Sequence, residues 1–297
     1  MILYNDYLKK KHGGKVYRIA IDAGFSCPGR CIYCNNAGSR ASYINPKDSV
    51  TKQLRTWIKY LRDVKDAKKF IAYFQAFTNT YAQVDKLKEV YDEVRGFEDI
   101  VGISIGTRPD TVDSDKLKLI SSYKERYDVW LEYGLPSTHD KTLELINRGH
   151  TFGDFEKALS LTGKFGIPVS VHVILGLPGE TKSDMMATAK RLSGLKVSGI
   201  KIHLLHVLKG SKLEELYREG KIKLLEQDEY VRLVSEFLSN LSPDIIVQRL
   251  TAEGSKDDHI APLWALDKVG TLNKIRNVIA RRPKADCFTR HCEKRTK

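Results

Sequence analysis

The sequence has 297 residues, of which 41% are hydrophobic and 29% are charged. This composition is typical of a soluble globular protein with one large core. The first ten residues lack the apolar run of a signal peptide, and the longest apolar stretch, 167–178, is too short to span a bilayer. We therefore expect a soluble, cytoplasmic protein with no membrane association.

Short apolar runs alternate with longer helical patterns along the first two thirds of the chain. The predicted strands are Val16–Ala23, Phe70–Gln75, Ile100–Gly106, Val129–Tyr133, Ile167–Leu175 and Ile200–His206. The predicted helices are Pro46–Lys65, Val84–Val94, Lys116–Tyr123, Lys141–Ile146, Phe155–Phe165 and Asp184–Leu192. This alternation predicts an α/β fold with a parallel sheet and right-handed crossovers. A partial (β/α)6 TIM-type barrel is favoured, and an open doubly wound sheet is the alternative.

The pattern changes after His206. Helices are predicted at Lys212–Arg218, Gln227–Leu241 and Leu263–Ala280, with a last strand at Asp244–Leu250. We divide the chain into a partial-barrel domain, 1–235, and a C-terminal extension with a basic tail, 236–297.

The net charge of the chain is +13. Residues 274–297 hold nine basic and two acidic side chains, which gives this tail a charge of +7. Such a tail fits a polyanion such as RNA, although a solvated basic tail is an equally simple interpretation.

Three of the five cysteines lie within eight residues, directly after the first predicted strand. Cys27, Cys31 and Cys34 have the spacing C-x3-C-x2-C, which is a poor framework for disulfides. Three thiolates at this pitch can hold a cube of iron and sulfide and leave one iron open for another ligand. A structural zinc site is the alternative, but it needs a fourth ligand, and the sequence has no second C-x-x-C pair.

The cysteine segment, including Tyr33 before the third cysteine, resembles the signature of the radical S-adenosylmethionine (SAM) superfamily. The resemblance extends over about residues 16–210 and is strongest to the elongator-like branch, on the run Gly-Thr-Arg-Pro-Asp at 106–110 and the run Asn-Arg-Gly at 147–149. It implies a [4Fe–4S] cluster held by the three cysteines at the C-terminal mouth of a partial barrel. SAM would chelate the open iron and be cleaved to a 5′-deoxyadenosyl radical, with flavodoxin or ferredoxin as the electron donor.

The resemblance also implies contacts to SAM at the ends of the strands. Gln75 and Ala76 stand where relatives receive the SAM amine, and Thr107 offers a hydroxyl to SAM or substrate. Pro136 replaces the glutamine that holds the ribose in relatives, so Glu132 or Ser137 is expected to take over that contact. The remaining candidates are Tyr33, Arg148 for the SAM carboxylate, His172 for the ribose, Ile174 and Gly176 for the adenine, and His206 for adenine or substrate.

Simpler interpretations stand beside these assignments. Glu132 and Arg148 are alternatively an internal ion pair, because a carboxylate on a buried strand needs a partner. His172 is alternatively a core histidine with satisfied hydrogen bonds. Cys287 and Cys292 are more simply free thiols than a second metal site.

The elongator-like resemblance implies an enzyme that modifies tRNA, at carbon 5 of the wobble uridine or on a substituent already there. One alternative is a radical SAM enzyme with a porphyrinogen-like small-molecule substrate. The other is a non-catalytic RNA-binding protein that contains a cluster. Salt-sensitive tRNA binding and SAM cleavage separate the three hypotheses.

Overall fold

The computed structural model describes residues 1–35, 40–251 and 257–281. Its strands are β1 (Ile2–Leu3), β2 (Val16–Ile21), β3 (Lys69–Phe74), β4 (Ile100–Thr107), β5 (Asp128–Gly134), β6 (Val169–Leu175), β7 (Gly199–Leu204), β8 (Val207–Leu208), β9 (Ile246–Arg249) and β10 (His259–Ala261). Eight of them form one parallel sheet in the order β1-β9-β7-β6-β5-β4-β3-β2. The other two, β8 and β10, pair with each other in antiparallel fashion.

Helices connect the strands. They are α1 (Tyr4–His12), α2 (Val50–Lys65), α3 (Val84–Asp92), α4 (Ser114–Ser122), α5 (Asp140–Leu145), α6 (Phe152–Lys164), α7 (Lys182–Ser193), α8 (Lys212–Arg218), α9 (Gln227–Ser239) and α10 (Lys268–Ala280). Local sequence fixes several of their ends: Thr151 and Thr181 form capping boxes at the starts of α6 and α7, and Gly166 after α6 has a φ of +61°.

The sheet curls into a partial barrel, as predicted. Lys201 on β7 donates a hydrogen bond of 3.0 Å to the hydroxyl of Tyr73 on β3. These strands are four positions apart in the sheet, a separation of about 19 Å if the sheet were flat. The contact therefore requires a strongly curved sheet, and the doubly wound alternative is wrong. The sheet has eight strands rather than six because β9 and β1 continue it beyond β7.

Helix α1, which the periodicity did not predict, closes the N-terminal end of the barrel. Its Tyr4 and Leu8 pack with Val16, Ile71, Trp130 and Ile246 in a small apolar cluster. Val16 and Ile246 are the first residues of their strands, so this cluster marks the end of the barrel opposite the strand termini. The C-terminal mouth is thereby left for the loop that carries the cysteines.

The C-terminal segment is joined closely to the barrel. Strand β9 lies within 236–297 and pairs with β7 and β1 in the main sheet. Helix α9 packs on α7 and α10. Residues 282–297, which include most of the basic tail and Cys287 and Cys292, lie outside the described residues.

Candidate active site

The cysteine loop leaves β2 at the C-terminal mouth of the barrel. Its first turn is held by the buried side chain of Gln53 on α2, which accepts from the Asp22 amide at 2.9 Å and donates to the Asp22 carbonyl at 2.8 Å. The carboxylate of Asp22 pairs with Arg40. These contacts fix where the chain enters the loop. Further along it, Cys27 is half-buried, Cys31 is buried and Cys34 is exposed.

The three thiols belong to one loop, and those of Cys31 and Cys34 share a hydrogen bond. Among residues 1–35, 40–251 and 257–281, no three His, Cys, Asp or Glu side chains converge so that they could hold one metal ion. In a [4Fe–4S] cube each cysteine binds a different iron. The assignment of Cys27, Cys31 and Cys34 as the cluster ligands stays a prediction.

The surroundings of the thiols favour the ionised form of Cys31. A hydrogen bond from Cys34, together with the positive charge of Arg148, lowers the pKa of Cys31 to about 5. A thiol in this environment is a thiolate at neutral pH, which is the form that binds iron. Tyr33 also lies against Cys31 and is half-buried.

The loop is hydrogen-bonded to the connection that follows α5. The amide of Ile32 donates to the carbonyl of Ile146 at 3.1 Å, and the side chain of Asn147 donates to the carbonyl of Arg30 at 2.8 Å. Asn147 has a φ of +53°, a conformation that asparagine tolerates better than most residues. The loop thus has a rigid partner on the β5 side of the mouth.

Two arginines complete this attachment. Arg148 donates to the sulfur of Cys31 at 3.4 Å, to the carbonyl of Gly134 at 2.8 Å and to His150 Nε2 at 2.9 Å. Arg108 donates to the carbonyl of Arg148 at 2.7 Å and makes a two-pronged pair with Asp110. Both guanidinium groups are buried, and each is a rigid, planar donor. Their hydrogen bonds therefore hold the cysteine loop in one position.

The turn after β3 also touches the loop. Asn79 donates to the carbonyls of Phe74, Ala76 and Gly106 at 3.1, 3.1 and 2.8 Å, which holds the predicted Gln75–Ala76 turn in place. Gln75 is half-buried and Ala76 is buried. Thr78, from the same turn, donates its hydroxyl to the sulfur of Cys27 at 3.2 Å.

The hydroxyls of two candidate residues, Thr107 and Ser137, form hydrogen bonds with other side chains of the protein. Thr107 shares hydrogen bonds with Thr80 at 2.6 Å and Thr111 at 3.2 Å in a buried cluster of three hydroxyls. Ser137 donates to the carboxylate of Glu180 and accepts from the amide of His139 at 3.1 Å. The two side chains therefore tie neighbouring strand-end loops together, and a contact of either with SAM stays a prediction.

A layer of charged side chains crosses the barrel beneath the mouth. Glu132 on β5 is fully buried and pairs with Arg18 on β2 at 2.5 Å and with Lys201 on β7. The ring of His172 on β6 lies 2.9 Å from the same carboxylate. Tyr73 completes this charged layer, with Arg18 stacked 3.9 Å above its ring. The mutual Glu132–Arg148 ion pair is therefore wrong, because each group has other partners.

Electrostatics fix the protonation of this charged layer. Burial alone would raise the pKa of Glu132, but Arg18, Lys201 and the hydrogen bond from His172 hold it well below its usual range. Burial, with a contribution from Lys201, lowers the pKa of His172 to about 4. A neutral His172 then donates its Nε2 proton to an ionised Glu132, so the two remain paired across the neutral pH range.

Four histidines form two ring contacts, one stacked (His172 and His203) and one tilted (His206 and His259). The ring of His172 lies 5.2 Å from that of His203, and the ring of His206 lies 5.6 Å from that of His259. Burial lowers the pKa of His206 to about 4. Ile174 lies on β6 and is half-buried. Gly176, directly after the end of β6, is also half-buried and has a φ of +86°. A contact of this edge with the adenine stays a prediction.

Sequence reasoning missed the supporting residues. Gln53, Thr78 and Asn79 lie in a helix and a turn whose sequences show no metal or cofactor pattern. Lys201 and Arg18 carry one usable signal, because each occupies the alternate position of a strand whose neighbouring residues are apolar. A charge at that position of a buried strand indicates an interior partner.

Comparison with known proteins places this site in a family. Residues 23–192 match the model of the Radical SAM superfamily, and residues 197–281 match the Radical_SAM C-terminal domain. The uncharacterized protein MJ0486 of Methanocaldococcus jannaschii is 40% identical over 94% of this chain and 89% of its own length.

In the described part of the chain, no helix is long and apolar enough to cross a membrane.

Two more distant similarities add to this comparison. The tRNA uridine(34) acetyltransferase of Dehalococcoides mccartyi is 23% identical over 75% of this chain, which spans 56% of the acetyltransferase. The structure of Elp3 from Methanocaldococcus infernus superposes with a TM-score of 0.68 at 18% identity, over 88% of this chain and 63% of Elp3. The chain thus belongs to the radical SAM superfamily, and it is an enzyme whose cofactors are a [4Fe–4S] cluster and SAM.

Proposed function

We propose that this enzyme modifies tRNA at the wobble uridine, on carbon 5 of the base or on a substituent already attached there. The observation that carries the proposal is the similarity, over 260 residues, to a relative named tRNA uridine(34) acetyltransferase. That similarity covers 75% of this chain and 56% of the relative. The net charge of +13 adds to it, because tRNA is a polyanion.

In this proposal Cys27, Cys31 and Cys34 bind the cluster. The cluster supplies the electron that cleaves SAM and so generates the radical. The protein orients the cofactor and excludes water: Gln53, Asn147 and Arg148 fix the cysteine loop, and the strand end at Ile174–Gly176 supplies an edge for the adenine. A flavodoxin or ferredoxin is the proposed reductant.

The charged layer of Arg18, Tyr73, Glu132, His172 and Lys201 lies across the barrel below the mouth and forms its floor. Such a floor favours a polar base or substituent over a bare hydrocarbon, since polar groups entering a buried site need partners. A flipped uridine meets this requirement, because its carbonyl and imide groups accept and donate hydrogen bonds.

Exposed cations border the mouth and are placed to contact tRNA phosphates. Arg30 lies in the cysteine loop, and Lys209 lies beside it, because the side chain of Asn35 donates to the Lys209 carbonyl at 3.2 Å. Lys223 lines the neighbouring cavity, together with Gly176. Phosphate contacts of this kind orient a nucleic acid without reading its sequence.

The first test is mass spectrometry of tRNA nucleosides from cells that lack the gene. We expect a missing or truncated wobble-uridine modification, restored by the intact gene but not by Cys31→Ala. The purified Cys31→Ala protein should also lose bound iron, whereas Cys287→Ala, a matched change in the tail, should retain it. An unchanged nucleoside profile would refute the tRNA proposal and favour a small-molecule substrate.

The second test concerns the binding surface. Replacing Arg30, Lys209 and Lys223 by Gln should weaken tRNA binding and reduce the slope of log K against log salt by about 0.7–0.9 for each phosphate interaction removed. The matched control replaces three exposed lysines at the closed end of the barrel, Lys9, Lys10 and Lys15. Equal losses of affinity in the two triple variants would show that binding is not directed to the mouth.

A further inference from the structure

Besides Tyr33 within the cysteine loop, two side chains from outside the loop donate hydrogen bonds to its sulfur atoms. Arg148 lies 3.4 Å from the sulfur of Cys31, and Thr78 lies 3.2 Å from the sulfur of Cys27. Both donors are buried, with 7% and 1% of their surface exposed. Water therefore screens neither interaction well, and each acts at nearly full strength on the atom that it contacts.

The position of Arg148 is fixed by the protein. Its side chain also donates to the carbonyl of Gly134 and to His150, and its own carbonyl accepts from Arg108. Arg108 in turn passes directly beneath Gly29 of the cysteine loop, where the β-carbon of any larger residue would lie 2.2 Å from its guanidinium. The Arg148 guanidinium is therefore held against the loop by several independent contacts.

Thr78 is fixed by similar means. Its amide donates to the carbonyl of Ser26 at 3.3 Å, which joins the turn after β3 to the residue that precedes Cys27. The neighbouring Asn79 anchors the same turn through three carbonyls. The hydroxyl is thus carried by a rigid turn and faces the cysteine sulfur.

Donors at these positions have a definite electrostatic effect. Reduction adds negative charge to an iron–sulfur cluster, and nearby positive charge and hydrogen bonds to the sulfurs stabilise the reduced form. We propose that Arg148 and Thr78 are positioning residues that raise the reduction potential of the cluster and so make it accessible to a cellular electron donor. The full charge of Arg148 acts more strongly than the hydroxyl dipole of Thr78. This inference rests on the proposed ligand set Cys27, Cys31 and Cys34.

The test is a redox titration of the anaerobically reconstituted full chain, followed by electron paramagnetic resonance, without SAM or tRNA. Arg148→Met should shift the ratio of reduced to oxidised cluster at a fixed potential at least tenfold towards the oxidised form, a change of about 59 mV for one electron. Thr78→Val should shift it in the same direction by less. Arg148→Lys should fall between wild type and Arg148→Met, because it keeps the charge and loses the planar fork.

Thr162→Val is the matched control. It removes another buried threonine hydroxyl, which bonds to Tyr133 and to the Ala158 carbonyl and touches no sulfur. Its potential should equal that of wild type. Wild-type potentials in both Arg148→Met and Thr78→Val, or an equal shift in Thr162→Val, would overturn the proposal. If Arg148→Met does not retain iron, Thr78→Val alone decides. A wrong ligand set would instead show as normal iron content in Cys31→Ala.

Discussion

Replacing Glu132 by Gln should destabilise this protein far more than replacing its partner Lys201 by Met. Both side chains are fully buried, and Glu132 is the carboxylate that neutralises both Arg18 and Lys201. Burial and the charge of Arg18 lower the pKa of Lys201, whereas Glu132 raises it, so the charge of Lys201 depends on the carboxylate. Removing the carboxylate leaves two buried basic groups without their acidic partner, whereas removing Lys201 leaves Glu132 still paired with Arg18 and His172.

The magnitude follows from the geometry. At an effective dielectric constant of about 20, opposite charges at the 2.5 Å separation of Arg18 and Glu132 attract by about 6–7 kcal/mol. Desolvation offsets part of this, and loss of one member of a buried pair costs about 3–5 kcal/mol. We expect that loss for Glu132→Gln and about 1 kcal/mol or less for Lys201→Met. The double variant should regain about 1–2 kcal/mol over Glu132→Gln, because one of the two buried basic groups left without an acidic partner is gone.

Anaerobic guanidinium unfolding at pH 7.5 measures these differences, with circular dichroism and tryptophan fluorescence as two signals. Trp130 is a local reporter, because it is buried and lies two residues before Glu132 on the same strand. An equal cost for Lys201→Met and Glu132→Gln, or a double variant no more stable than Glu132→Gln, would refute this account. Either result would mean that Lys201 adds no net positive charge to the charged layer.

Three further changes test other parts of the structure. Gly29→Ala should lower iron retention, since Arg108 lies where the new methyl group would be and its other bonds keep it there; Gly14→Ala, in open space, should not. Leu8→Ala should cost about 2–4 kcal/mol in an unfolding titration, because it opens a cavity in the cluster that closes the barrel. Since the pKa of His206 is lowered to about 4, the unfolded chain takes up a proton first as pH falls below 6.5. Wild type should thus lose about 2 kcal/mol more than His206→Gln between pH 7 and pH 5.

The sequence predicts the six central strands well because each is a short, nearly continuous apolar run. Such runs are typical of strands buried on both faces, and their residues could hardly lie elsewhere. It predicts α1 poorly, since only Tyr4 and Leu8 of that helix are buried and its last turn is wholly basic. Two apolar side chains are too few to define a helical face. The helix is ordered by the tertiary cluster beneath the barrel rather than by its own pattern.

The charged layer shows a second limit of sequence reasoning. Arg18 and Lys201 lie 183 positions apart in the sequence, and each alone is an ordinary basic residue. Only the curvature of the sheet brings them to one carboxylate, and curvature depends on every strand pairing together. The sequence indicates Glu132 as a functional candidate, but the identity of its partners depends on this long-range geometry.

The residues of the short motifs at the strand ends have different structural roles, which the sequence alone does not distinguish. Thr107 is satisfied by other threonines, Arg108 supports the segment at 148–149, and Asn147 holds the backbone of the cysteine loop. All three are one contact removed from the cysteines or further. Changes at these positions should therefore reach the cofactors through the loop, first as lost iron, because the loop geometry that holds the cluster depends on them. A recurring motif beside a cofactor site can thus reflect the support of a ligand loop as well as contact with the cofactor itself.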